Sequence, residues 1–135
     1  MALQFSVSVR NARLDSIETT VGASAKLYLY SGAVPANCAA ADPSGLLATI
    51  NLPSDYLAAA ASGSKAIANG PWSGTGSAAG NAASFRIKDN AGTTCHLQGT
   101  VTATGGGGDM TVDNTSIANG QTINVTGFTI TDGNA

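Results

Sequence analysis

Few residues in this chain could do chemistry: one histidine, His96, two cysteines, Cys38 and Cys95, and eight acids, Asp15, Glu18, Asp42, Asp55, Asp89, Asp109, Asp113 and Asp132. A Ser-His-Asp hydrolase needs a nucleophile, a base beside it and a carboxylate behind the base. No serine sits in a nucleophile-elbow signature. The alternation around His96 sets it on the outer face of a strand, beside Arg86, as a surface histidine. Glycoside hydrolysis needs two carboxyl groups flanking the bond, and most of the acids here fall in turns or a helix, where Asp has ordinary capping and turn roles. Asp113 and Asn114, followed by Thr115, could offer oxygens to calcium, but the EF-hand spacing is missing. The glycines at 105–108 lead into D-M-T-V-D-N rather than the Lys and Ser/Thr of a phosphate loop. The sequence therefore assigns no catalytic, cofactor or metal residue, and no enzyme is expected.

Cys38 and Cys95 lack the paired spacing of a zinc site or a redox motif. Two free thiols are expected. A bridge remains an option for a protein that ends outside a cell, since spacing alone does not give the geometry.

The elements that must carry these residues read mainly as strands. In residues 83–104, Ala83, Phe85 and Ile87 alternate with Ser84, Arg86 and Lys88, and Cys95, Leu97, Gly99 and Val101 alternate with His96, Gln98 and Thr100. This is a hairpin with one buried face. Pairing Asp89 with Thr93 sets Ile87 opposite Cys95, Phe85 opposite Leu97 and Arg86 opposite His96, and leaves a loop of Asn90, Ala91 and Gly92, with Gly92 at positive φ.

Upstream, Leu3, Phe5, Val7 and Val9 alternate with polar residues as an opening strand, although a longer helix could include them. Asn11 can cap a helix over 12–20, with Leu14, Ile17 and Val21 on one face and Gly22 ending it. Residues 25–30 form a strand with Leu27 and Leu29 on one side and Tyr28 and Tyr30 on the other. The tyrosines either pack under the helix or the 35–45 loop, or form a contact surface. Leu46, Ala48, Ile50 and Leu52 share a face of the next strand, and 56–61 suggests a helical turn. A weak strand follows at 65–68 and a strand at 72–79, then a turn at Gly80 and Asn81. Met110 and Val112 begin another short strand. In 121–131 the apolar positions change parity between Val125 and Phe128, which calls for a β-bulge at Gly127.

Strands about every ten residues, with Gly, Asn, Asp and Pro between them, give a mainly β fold. The expectation is one domain over 1–135, an antiparallel β-sandwich or jelly roll with one short N-terminal helix packing on it or capping it. Charged residues are 10% of the chain and the formal net charge is −2, so there is no basic footprint for nucleic acid. The first residues lack a secretory signal and no apolar run could span a bilayer, so a protein made soluble in the cytoplasm is expected, with no membrane partner.

Three strings, V-R-N-A-R-L-D-S-I-E-T-T-V-G, A-K-L-Y-L-Y-S-G-A-V-P-A-N-C-A-A-A-D and D-N-T-S-I-A-N-G-Q-T-I-N-V-T-G-F-T-I-T-D-G-N-A, cover much of the chain. Through them it resembles a group of small proteins encoded among the virion structural genes of tailed bacteriophages and prophages. The resemblance implies a virion protein, a capsid decoration or cement protein that binds the major capsid protein and stabilises the head. The alternatives are a neck or tail location, or a carbohydrate-binding, adhesin-like β module with exposed aromatics in a groove. A cement protein favours the assembled shell by binding it and not its parts, and a trimer of copies would add contacts by avidity. The expected contact surface is the helix and the tyrosine-bearing strand, or the following loop, with Tyr28, Tyr30, Pro35 and Asn37 as interface residues.

Overall fold

The computed structural model describes residues 3–133; Asn134 and Ala135, which end the third of the strings above, lie outside them. Among the described residues the elements are α1 (Val7–Val21), β1 (Lys26–Tyr30), β2 (Leu46–Asn51), β3 (Ser64–Ala66), β4 (Ser73–Thr75), β5 (Gly80–Asn81), β6 (Ser84–Lys88), β7 (Cys95–Ala103), β8 (Met110–Val112), β9 (Ser116–Ile117) and β10 (Thr122–Thr131). The chain is mainly β with one helix, as expected. A curled sheet runs β2-β1-β6-β7-β8-β10-β3, with β4 also on β10, and β5 pairs with β9 apart from it. A bridge between Ala48 and Gly76 joins the β2 end to the chain just beyond β4, and the Ser77 amide donates to the Leu47 carbonyl at 2.8 Å. The sheet thus wraps one core, in a sandwich-like arrangement.

Aromatic rings run through that core. Phe85 meets Phe128 edge-on at 5.5 Å, Phe128 meets Trp72 at 5.8 Å, and Trp72 meets Tyr56 at 6.2 Å. Leu27, Leu29, Ile50, Ile87, Met110, Val112 and Ile123 fill the space around them. On β10 the ladder skips Thr126, between Val125 and Gly127. The expected bulge is present, and through it Ile123, Val125 and Phe128 are all buried.

Several expectations are corrected. The opening segment is not a strand: Ser6 caps α1, its Oγ accepting from the Val9 amide at 3.2 Å. Asn11 is therefore inside the helix and caps nothing; its Oδ1 accepts from the Gly63 amide at 2.9 Å. Leu14, Ile17 and Val21 do face the core, and Gly22 ends the helix at φ 94°. Residues 56–61 are extended rather than helical, with bridges from Leu57 to Ile67 and from Ala61 to Ser64. Gly80 and Asn81 pair with Ile117 and Ser116 instead of turning. On β2, Leu47 is buried and Leu46 exposed, because the ladder skips Leu47 opposite Leu29 and Tyr30.

The hairpin shifts its register by two, and its side chains keep their faces except Cys95, expected beside Leu97 on the buried face and found on the outer face with Arg86 and Lys88. Phe85 lies opposite Gly99 and Ile87 opposite Leu97, and a bulge then sets Lys88 opposite Cys95. A shift of two leaves every side chain on its face, so alternation cannot select between the two registers. Volume can: a Cβ on Gly99 would come within 2.8 Å of the Phe85 ring, so glycine is what fits opposite the ring. The loop widens by one residue, closed by the Asp89 amide on the Thr94 carbonyl at 3.2 Å, and Gly92 has the expected positive φ, 74°. After β7 the chain doubles back through 104–109 and β8 pairs with it in parallel, Val101 opposite Met110. Gly105 and Gly107, at φ 85° and 81°, permit that reversal.

Candidate functional site

The polar side chains of β6 do not meet water. Ser84, Arg86 and Lys88 point away from the core and are nevertheless buried, because residues 31–45 fold back as a strap over the outer face of β1, β6 and β7. Arg86, 2% exposed, is the hub. Its Nη1 donates to the Ala40 carbonyl and to Asp42 Oδ1, both at 2.9 Å, and its Nη2 to Gln98 Oε1 at 3.0 Å and the Asn37 carbonyl at 3.2 Å. Gln98 Nε2 donates to the Pro35 carbonyl at 2.8 Å, Ser84 Oγ to the Gly32 carbonyl at 2.7 Å, and Lys88 Nζ to Asp42 Oδ2 at 2.7 Å. Lys88, and after it Arg86, hold the Asp42 carboxyl below the usual carboxylate range.

This arrangement relocates the expected interface residues. Tyr30 is buried under the strap, and burial, with Asp42 next in effect, pushes its phenol up to about 12. Tyr28 is half-buried, stacked on Tyr30 at 6.5 Å with the Lys88 ammonium 5.1 Å from its ring. Pro35 and Asn37 spend their carbonyls on Gln98 and Arg86, and Asn37 Oδ1 accepts from the Ala39 and Ala40 amides at 2.9 and 3.0 Å. Pro35 and Asn37 anchor the chain's own strap, Tyr30 lies beneath it, and Tyr28 stands beside Tyr30 and Lys88. Tyr30 is closed to a partner, and of the four only Asn37 is exposed.

A second polar hub docks the helix. Lys65, 3% exposed, donates to Asp15 Oδ1 and the Ala58 carbonyl, both at 2.8 Å, and lies 3.9 Å from Glu18. Glu18 accepts from the Tyr56 amide at 3.0 Å, and Tyr56 Oη donates to the Gly22 carbonyl at 3.0 Å. Burial, with Glu18 nearby, pushes the Tyr56 phenol up to about 12.

The residues screened for chemistry are dispersed. His96 is the extra residue of the β7 bulge, and its imidazole has no hydrogen-bond or ion-pair partner among the described residues. Gln98, not His96, faces Arg86. Both Asp113 oxygens accept from Asn124, from its amide at 3.1 Å and its Nδ2 at 2.9 Å, and tie the 113–116 turn to β10, while Asn114 accepts from the Ser116 amide at 2.9 Å within the turn. Among the described residues no three His, Cys, Asp or Glu side chains are grouped to hold a metal. No family model, curated protein or solved structure matches the chain. No helix among the described residues is long and apolar enough to cross a membrane.

One surface was missed. Leu3, Phe5, Val7 and Val9 are 74%, 38%, 49% and 43% exposed, four large apolar side chains within seven residues at the start of α1. The Arg13 guanidinium stands 4.9 Å from the Phe5 ring. Its signal was the period-2 alternation read as a strand, which the fold does not use.

Proposed function

We propose that the chain is a protein-binding structural module, specifically a virion surface protein of the decoration type that binds the assembled major capsid protein. The observation that carries the reading is the exposure of Leu3, Phe5, Val7 and Val9 within seven residues of chain, since large apolar side chains left in water near one another mark contact sites. The ionisable side chains of the two hubs, by contrast, are engaged in holding the strap and the helix to the sheet. The virion-like strings bear on the same reading: the first lies in α1, the second in β1 and the strap, and the third extends through β10. The contact surface in this proposal is the N-terminal end of α1, in place of the tyrosines.

The test is co-sedimentation of the purified protein with assembled shells of the cognate major capsid protein. The expected result is saturable binding, reduced at least about tenfold in a Phe5→Ser, Val9→Ser double variant whose Tm is unchanged, since a few apolar anchors carry most of an interface's energy. A protein that stays in the supernatant, or that is found only at the neck or tail of purified virions, overturns the decoration role.

A further inference from the structure

The strap carries Cys38 and lays it over β7, which carries Cys95. Arg86 holds the carbonyls of Asn37 and Ala40 on either side of Cys38, while Cys95 lies opposite Lys88 on the neighbouring strand. Both cysteines line one cavity of about 590 Å³ together with Ala39, Thr93 and Thr94, and Cys38 is near enough to be among the groups that raise the Cys95 thiol. Cys95 Sγ also donates to the Leu97 carbonyl at 3.4 Å. Both are free thiols and half-buried.

We propose that Cys38 and Cys95 are a redox pair that closes into an intrachain disulfide, fastening the strap to β7, when the protein meets a low-molecular-weight disulfide such as oxidised glutathione. Half-burial leaves the cavity open to a small disulfide. Asp42 lines the same cavity but is held by Arg86 and Lys88, and among the described residues no three His, Cys, Asp or Glu side chains are grouped to hold a metal.

The exchange runs in two displacements. The Cys38 thiol loses its proton to solvent and its sulfur attacks one sulfur of glutathione disulfide; that S–S bond breaks, and the departing glutathione thiolate takes up a proton. The Cys95 thiol then loses its proton and attacks Cys38 Sγ, which expels the second glutathione as a thiol. Two protein thiols are oxidised and one glutathione disulfide is reduced to two thiols. Burial, then the Cys38 thiol beside it, push the Cys95 thiol up to about 12, against the pull of Arg86 and Lys88. Cys95 is thus the poorer first attacker and the resolving thiol.

The inference does not rest on the virion reading. Oxidised glutathione should take the wild-type protein from two titratable thiols to none. Its mass should fall by two hydrogens with no glutathione retained, and a non-reducing digest should contain a peptide linking positions 38 and 95. The long loop closed by the bond should raise Tm by roughly 10 °C, reversibly on reduction. Cys38→Ser and Cys95→Ser, each left with one cysteine, should end as a mixed disulfide with glutathione and show no such rise. Wild-type protein that ends with glutathione on both cysteines, or with chains linked to each other, overturns the proposal. That mass measurement decides the matter even if a serine variant fails to fold.

Discussion

Two residues show how the same strand serves two environments. Phe85 and Arg86 are neighbours on β6 and both 2% exposed, one held by apolar contact and the other by hydrogen bonds. Phe85→Ala removes a ring packed on Phe128 and should cost about 3 to 5 kcal/mol, read as a lower denaturation midpoint. The groups around Arg86 also predict how stability depends on pH. Asp42 and Asp15 are held below their ordinary value of 3.8, Asp42 first by Lys88 and Asp15 first by Lys65. A lowered carboxyl contributes stability that is present above 3.8 and lost as pH falls through its folded value, so acid titration should loosen strap and helix. Tyr30 and Tyr56, raised to about 12 chiefly by burial, act at the other end. The unfolded chain ionises them near 10 and the folded chain does not, so stability should fall as pH rises from 10 to 12. Denaturation midpoints across pH check both limbs; a flat profile below pH 4 would show that the ion pairs add nothing.

At the scale of elements, parity is what each strand must keep. β10 buries Ile123 and Val125 on one side of its bulge and Phe128 on the other. Deleting Thr126 removes the extra residue and turns Phe128 and Ile130 to the opposite face. The deletion should abolish the cooperative unfolding transition, whereas a Thr126→Ser exchange, at an exposed position, should shift it by no more than about 0.5 kcal/mol. Helix α1 illustrates a different balance. Its start is set by the Ser6 cap, and its place by Lys65 reaching Asp15 and by Leu14 and Val21 in the core. Ser6→Ala should cost about 1 kcal/mol, visible as fraying in amide exchange of 7–10.

The whole molecule is set by closure of the curled sheet. β2 and β4 come together at a seam where a Cβ on Gly74 would lie 2.7 Å from Ile50 Cγ1. Gly74→Val should therefore destabilise the protein by about 1 to 3 kcal/mol through overpacking, measurable as a lower Tm. Two polar hubs then fasten what closure leaves loose, the strap on one side and the helix on the other. The exposed apolar residues at 3–9 lie outside both, which makes that stretch the surface where capsid binding is to be tested.

The sequence by itself determined most strands and their faces. Burial has a period of two, so Leu27 and Leu29, Phe85 and Ile87, and the parity change around Gly127 could be read without a structure. Gly92 and Gly22 were legible for a similar local reason, a φ that glycine takes without cost. What needed tertiary structure was every choice that local pattern leaves degenerate. A hairpin register and its neighbour two residues away keep the same faces, and only the fit of Gly99 against Phe85 separates them. The alternation of Leu3 to Val9 reads as a strand until Ser6 caps the helix. Arg86 and Lys88 read as wet because nothing in a strand's own residues tells that a strap will cover them. The meeting of Cys38 with Cys95 has the same origin: it depends on where the strap lands, and the Arg86 contacts across β6 decide that.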